Sequence, residues 1–297
     1  MNELLQLIAN GLVTGSIIAI TAVGLSLVYG ILKIVNFAHG EYLVFGAYMA
    51  LVVNVTWGQS LILGALFALV MTALLGIALE FGLWRPIRKR GAGIVSLLIV
   101  SIGLALVLRN SILLWQGGAP RRYDVDVFQV YELGPIRLSL SQIVVIVVAS
   151  VVIIGVGLLL AQTTLGKAMR ALSDSRDLAS VSGIDTDRIT AYTWIVGSAL
   201  AGLGGVLQGL VQNAFEPNMG FRLLLLIFAA VILGGVGSAY GALVGGLVLG
   251  LMMEVSTWSE LPAGGVDSVY KPVVAFVVLI LVLIFRPQGI FGRARTV

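Results

Sequence analysis

The sequence predicts an all-α integral membrane protein with about eight transmembrane helices. Of its 297 residues, 59% are hydrophobic and only 11% are charged, whereas a soluble domain carries about 25% charged residues. The mean hydropathy of +1.07 leaves too little polar surface to cover a water-soluble body. Apolar stretches recur along the whole chain with no polar block between them, so we expect residues 1–297 to form a single membrane domain. This composition excludes a soluble enzyme, and the absence of cysteine excludes a disulfide scaffold.

The lengths of the apolar stretches predict the individual spans. A helix needs about 20 apolar residues to cross the hydrocarbon core of a bilayer. The stretches that meet or approach this length are Gly11–Leu32, Val35–Val55, Ser60–Trp84, Gly93–Trp115, Ser141–Ala161, Ile189–Gln212, Leu223–Met253 and Pro272–Phe285.

The charges of the loops predict the orientation of these helices. Lys and Arg accumulate in cytoplasmic loops, which accounts for the net charge of +4 without a nucleic-acid partner. The loops 117–140 and 254–271 contain several acids and are therefore assigned to the outside. We expect an external N-terminus and a cytoplasmic C-terminus. The basic residues assigned to the inside are Arg85, Arg88, Lys89, Arg90, Arg286, Arg293 and Arg295.

The stretch Leu223–Met253 is predicted to be broken near residues 230–245. The loops before and after it are both assigned outside, so it must start and finish on the same face. Its 31 residues would form a helix of about 46 Å, too long for one span and too short for two. Glycine destabilises a helix interior by about 1 kcal/mol. We expect a re-entrant hairpin or a helix break that lines a pathway, and the alternative is one long tilted helix. The glycines at its centre are Gly234, Gly235, Gly237 and Gly241.

A second broken or re-entrant segment is predicted near residues 33–45. Lys33, Asn36, His39 and Glu41 interrupt an otherwise apolar stretch there. Ionisable groups inside a bilayer usually face a cavity or a partner, although a solvated cytoplasmic turn explains the same residues. His39 is the only histidine of the chain, and a zinc site needs about four ligands, so no metal site is predicted.

Three further features of the apolar stretches carry less weight. Arg109 is expected to snorkel to the surface, with a position beside a conduit as the alternative. Glu80 is expected to pair with Arg85 or Arg88. A short similarity between residues 38–41 and 239–242 favours two structural repeats with broken helices at corresponding positions.

The loop 162–188 is predicted to contain an amphipathic helix at about residues 164–184. Gly183 stands where a helix C-terminal glycine is expected, and Asp185 or Asp187 is placed to cap the next helix. Small side chains on one face suit docking in a groove of another protein, and a surface helix without a partner is the alternative. The stripe with helical spacing consists of Leu165, Ala168, Leu172, Ser175 and Ala179.

The sequence contains no motif for nucleotide chemistry. No Gly-x-x-x-x-Gly-Lys-Ser/Thr segment is present, so no phosphate-binding loop is predicted. If the chain takes part in ATP-driven transport, the ATPase is a separate chain. An ion-coupled secondary transporter or a channel needs no ATPase, but neither has an obvious use for the amphipathic helix.

Several motifs occur in one order along nearly the whole chain. Together they resemble the branched-chain amino acid ABC-transporter permeases of the Liv type, and the similarity is greatest to the shorter, H-like permease subunit, which lacks a long N-terminal extension. The motifs are Gly24–Gly30, Ile34–Glu41, Leu165–Ala171 with Asp174, Ala179 and Gly183, Ala201–Leu207, Gly234–Gly246 and Arg286–Gly292.

The resemblance implies a heteromeric importer in a bacterial cytoplasmic membrane. A second homologous permease subunit, two ATP-binding subunits and an external solute-binding protein are its implied partners, and the partners rather than this chain bind and hydrolyse ATP. It implies alternating access for branched-chain or related amino acids, although related permeases carry urea or short amides.

The resemblance also implies roles for particular residues. The predicted gate consists of Asn36, His39, Gly40 and Glu41, with Gly234–Gly241 as the broken helix that faces it. The implied ATPase-docking residues are Gly166, Lys167, Arg170, Ala171, Asp174, Ala179 and Gly183.

Overall fold

The computed structural model describes residues 2–126, 129–261 and 264–292. Within these ranges the chain is almost entirely helical, with one small antiparallel hairpin. The helices are α1 (Asn2–Leu32), α2 (His39–Leu51), α3 (Leu61–Leu79), α4 (Arg85–Lys89), α5 (Ile94–Gln116), α6 (Leu140–Gln162), α7 (Thr164–Asp174), α8 (Arg176–Val181), α9 (Thr186–Gln212), α10 (Met219–Gly234), α11 (Ala239–Val255) and α12 (Lys271–Phe285). The strands are β1 (Val130–Leu133) and β2 (Ile136–Ser139), and π-helical turns at Val52–Thr56 and Glu80–Trp84 extend α2 and join α3 to α4.

The helix lengths and compositions confirm an integral membrane protein. In the described part of the chain, six helical stretches are long and apolar enough to cross a bilayer, and the bent pair α10–α11 passes the same test jointly. Helix α2 is shorter, but its π-helical extension carries it to Thr56. The prediction of about eight helices is therefore close.

Helices α1 and α9 form the buried centre of the bundle, whereas α3, α5, α6 and α12 lie at its periphery. Close contacts between small residues hold the centre together, as is typical of membrane helices. Gly15 and Ala19 of α1, for example, lie directly against Gly250 and Gly246 of α11. The peripheral helices expose long aliphatic side chains, which are suited to lipid.

The loops that their charges assign to the same side of the membrane lie at the same end of the bundle. We call the end with Leu32, α4 and α7–α8 the basic end; there Arg85 binds Asp187 at the start of α9. We call the other end the hairpin end; there Glu3 accepts a hydrogen bond from Ser259, and Gln6 donates one to the carbonyl of Arg137. The relative placement of these segments is as predicted. The predicted cytoplasmic residues Arg293 and Arg295 lie outside the described residues.

The predicted break in Leu223–Met253 is confirmed, and the single tilted helix is wrong. Helices α10 and α11 meet at a bend of 119°. Gly235 and Gly237 in the connection have φ values of 108° and 85°, a region that residues with a Cβ rarely adopt. The length of the stretch predicts that it is too short for two crossings. Helix α10 resolves this because it begins inside the bundle and slants towards the basic end.

Two boundaries differ from the predictions, whereas the predicted cap of α9 and the predicted role of Gly183 are confirmed. The second span begins at His39 rather than Val35, because residues 33–38 are not helical. The amphipathic helix at 164–184 is divided at Ser175, whose side chain caps α8 by accepting from the amide of Leu178. The cap of α9 is Asp185, and Gly183 has the left-handed conformation expected after a helix.

Candidate functional site

The segment Lys33–Ala38 leads from the basic end back into the bundle. Its depth follows from a contact with α1: Nε2 of His39 lies 3.0 Å from the carbonyl oxygen of Thr21, about three helical turns before α1 ends. Ser101 of α5 supports this irregular backbone by donating to the carbonyl of Val35 and accepting from the amide of Phe37, both at 3.2 Å. Non-helical backbone at this depth is tolerated only where protein or a water-filled cavity surrounds it.

A second segment, residues 213–218, enters the bundle from the hairpin end. Phe215 and Arg121 exchange two backbone hydrogen bonds of 2.8 Å, and the ring of Phe215 packs against Tyr48 and Tyr123. The hydroxyl of Tyr123 donates to the carbonyl of Ala47. Burial raises the pKa of the Tyr123 hydroxyl well above its usual value. Helix α10 therefore starts in the interior. The segment belongs to the loop before Leu223, which the loop charges and the order of the spans assign to the outside.

The N-termini of α2 and α10 meet inside the bundle. A Cβ built on Gly40 would lie 2.5 Å from the carbonyl oxygen of Gly220, so only glycine permits this approach. The rings of Phe37 and Phe228 lie 5.2 Å apart beside the contact. Neither helix has a side-chain cap at its N-terminus. Half-helices whose positive ends converge within the membrane are a recurrent design of transporter binding sites.

The predicted gate residues Asn36, His39 and Glu41 are all buried at this junction. Glu41 forms an ion pair with Arg109, at 3.2 Å between Oε1 and Nη2. The guanidinium of Arg109 lies 5.4 Å from the ring centroid of Phe221 on α10. The solvated turn is therefore wrong for these three residues, and the expectation that Arg109 snorkels is wrong as well.

The glycines of 234–241 do not face the predicted gate. Gly234 and Gly241 touch each other where α10 and α11 cross, and Gly235 lies against Gly292. Gly237 approaches Gly30 near the end of α1. This cluster lies at the basic end, so the broken helix opposite the gate is the start of α10. The similarity between residues 38–41 and 239–242 pointed to the wrong half-helix.

Three residues of this junction were not predicted from the sequence: Ser101, Gly220 and Phe221. Ser101 gave a weak signal as a polar residue in an apolar helix. Gly220 and Phe221 gave none, because glycine and phenylalanine are ordinary in a membrane span.

The implied docking residues divide between two sides of α7 and α8. Gly166 and Ala179 are buried against the chain itself, and Ala171 is half-buried. The others face away from the bundle, and two exposed aliphatic side chains, Leu178 and Val181, extend that surface. We call this surface the α7–α8 surface; it consists of Lys167, Arg170, Asp174, Leu178, Val181 and Gly183.

An ion-pair network links this surface to the bundle. Asp187 at the start of α9 binds Arg85 of α4, and its other carboxylate oxygen lies 3.4 Å from Arg176 of α8. Glu80 binds Arg88 through both carboxylate oxygens. This confirms one of the two pairings predicted for Glu80. A displacement of α8 would therefore act directly on α4 and α9.

Comparisons with known proteins give the family of the chain. The model of a family described as the permease component of branched-chain amino acid transport systems matches residues 7–283. The high-affinity branched-chain amino acid transport permease BraD of Pseudomonas aeruginosa is 35% identical, covering 97% of this chain and 96% of its own length. LivH of Escherichia coli K12 is 32% identical over 97% of this chain and 96% of its own.

A more distant relative is the ribose import permease RbsC of Escherichia coli K12, which is 26% identical over 65% of this chain and 60% of its own length. No solved structure matches the chain. The full-length relatives and the family model together decide the assignment: the chain belongs to the family of permease components of branched-chain amino acid transport systems.

Proposed function

We propose that the chain is a membrane-spanning subunit of an ATP-binding-cassette importer for branched-chain or related amino acids. The observation that carries this proposal is the meeting of two half-helix N-termini at Gly40 and Gly220, reached by irregular segments from opposite ends of the bundle. During alternating access, such a junction provides polar groups to a solute first from one side of the membrane and then from the other. The names of the full-length relatives supply the class of solute.

The α7–α8 surface is the proposed attachment site for the ATP-binding subunits. Helix α7 buries Met169 and Leu172 against the bundle, while Lys167 and Arg170 on its other side remain exposed. Leu178 and Val181 are 70% and 87% exposed, and exposed aliphatic residues beside charges are typical of a protein interface. Closure of the ATPases is then passed to α4 and α9 through Asp187.

The proposal includes the partners and the orientation. A second permease subunit, two ATP-binding subunits and an external solute-binding protein complete the importer, and ATP is bound by the ATP-binding subunits. The basic end faces the cytoplasm, in agreement with the excess of Lys and Arg there, and the N-terminus lies outside.

Reversing the charge of Arg170 tests the attachment site. We expect Arg170→Glu to reduce co-purification of the ATP-binding subunits and ATP-driven uptake by about tenfold, equivalent to about 1.4 kcal/mol. Membrane insertion should be unchanged, because Arg170 is exposed. The matched control is Arg137→Glu at the hairpin end, which also carries an exposed arginine. Equal co-purification for both variants would overturn the assignment.

The energy source distinguishes the importer from an ion-coupled transporter. We expect vesicles containing the complete complex to accumulate labelled leucine only with ATP and the solute-binding protein, and to do so in the presence of ionophores. Uptake by the purified chain alone, driven by an ion gradient, would support the secondary transporter instead. A panel of amino acids, urea and short amides in the same assay identifies the solute.

A further inference from the structure

The ion pair between Glu41 and Arg109 occupies a position that lipid does not favour. Arg109 lies about 22 Å from the start of α5, well inside the span. Its neighbours Leu106 and Val107 are 54% and 61% exposed, and Arg109 itself is partly exposed on the outer surface of the chain. A charge facing hydrocarbon costs roughly 3 kcal/mol or more. Glu41 compensates the charge of Arg109, but the exposed part of the guanidinium makes this spot a poor match for lipid compared with the aliphatic surface around it.

The pair also retains unused hydrogen-bonding capacity. Among the described residues, Oε2 of Glu41 and Nε of Arg109 are buried without a hydrogen-bond partner. One is an acceptor on an acid, and the other is a donor on a base. The uncapped N-terminus of α10 is nearby, because Phe221 in its first turn contacts the guanidinium of Arg109. Buried polar atoms of this kind call for a ligand with complementary groups.

The surroundings of the pair are apolar and partly open. Phe221 and Leu225 lie one turn apart on the same face of α10 and are 49% and 39% exposed. A ligand with an ammonium group, a carboxylate and an aliphatic side chain matches all of these features. Its ammonium would meet Oε2 of Glu41, and its carboxylate would meet Arg109 and the amides of α10.

We propose that Glu41 and Arg109 form an intramembrane binding site for the α-ammonium and α-carboxylate groups of a free amino acid in transit, with Phe221 and Leu225 against its side chain. The proposal rests on the proposed function, because it concerns the same pathway. It goes further in assigning recognition of the charged groups to this chain as well as to the solute-binding protein.

A single cysteine at Phe221 tests the site directly, because the chain has no cysteine of its own. In the assembled transporter, reconstituted without the solute-binding protein, we expect Phe221→Cys to react with a hydrophilic anionic thiol reagent. Millimolar leucine should slow the reaction about fivefold, in keeping with weak millimolar binding. Isopentylamine and 4-methylpentanoate, which lack one charged group each, should give little protection. The control is Leu281→Cys on lipid-facing α12, which should not react.

Variants of the pair provide a second measurement. In the Phe221→Cys background, Glu41→Gln and Arg109→Gln should abolish protection by leucine and reduce uptake about tenfold, while Glu132→Gln at the exposed hairpin should change neither. Arg109→Lys keeps the charge and should retain part of both. An unreactive cysteine, equal protection by all three compounds, or unchanged protection in Glu41→Gln would overturn the proposal. Those outcomes leave ATP-driven uptake by the native complex intact, whereas absence of that uptake contradicts the proposed function itself.

Discussion

At the scale of single residues, two ion pairs in the described part of the chain differ sharply in burial. The carboxylate of Glu80 is 3% exposed in its pair with Arg88, whereas the Glu132–Arg137 pair on the hairpin is 66% and 74% exposed. Removing one partner of a buried pair leaves an uncompensated charge, but an exposed pair contributes little because water solvates each partner.

The contrast between these two pairs predicts different stabilities for two alanine variants. We expect Glu80→Ala to lower the free energy of unfolding by about 3 kcal/mol and Glu132→Ala by about 0.5 kcal/mol or less. Thermal unfolding of the purified permease in detergent measures both. Similar melting temperatures for the two variants would show that the Glu80–Arg88 pair is solvated.

At the scale of elements, the junction of α2 and α10 depends on the absence of side chains at two positions. Gly40 and Gly220 approach so closely that each would place a Cβ 2.5 Å from the carbonyl oxygen of the other. Gly103 of α5, in contrast, has no atom within 4 Å of its Cβ position. The two glycines of the junction are needed for packing, whereas Gly103 only weakens its helix.

This contrast predicts opposite effects of the same substitution. Gly40→Ala should destabilise the permease by about 1–3 kcal/mol through overpacking and should impair uptake, because the half-helices separate. Gly103→Ala should be neutral or stabilising by up to about 1 kcal/mol. Melting temperature and uptake are measured for both in parallel. A harmless Gly40→Ala would mean that α2 and α10 do not meet at this point.

At the scale of the whole molecule, the fold gives the bundle two chemically different ends. The contact between Glu3 and Ser259 ties the start of α1 to the segment after α11 at the hairpin end. Ser180 of α8 lies at the basic end and is exposed. The α10–α11 pair begins and ends towards the hairpin end. This agrees with the prediction that the loops before and after it lie on the same side of the membrane.

Labelling in intact cells, followed by purification of the permease, tests this arrangement without background from the chain itself, because the native chain has no cysteine. We expect Ser259→Cys to react with an impermeant thiol reagent from outside, and Ser180→Cys only after the membrane is opened. The reverse pattern would invert the proposed orientation. Reaction of both variants in intact cells would contradict the separation of the two ends.

Much of the fold could be predicted from the sequence. Hydropathy gave the spans, loop charges grouped the segments by end, and the glycines of 234–241 marked the break before α11. The junction of α2 and α10 was only partly predictable. Asn36, His39 and Glu41 were conspicuous as polar residues in an apolar stretch, but the segment 213–218 and Gly220 that complete the junction were not.

The sequence by itself determined that this chain is an integral membrane protein. It also determined which loops share an end and that the stretches near residues 33–45 and 230–245 are broken. These properties depend on the hydropathy, charge and glycine content of short stretches, so they can be predicted from neighbouring residues alone. Only the tertiary structure decided that Arg109 pairs with Glu41 and that the start of α10, rather than the glycines 234–241, contacts Gly40 beside the predicted gate. Partners so far apart in the chain are chosen by how helices pack and by the cost of leaving a charge unpaired in lipid, and neither is written in a local pattern.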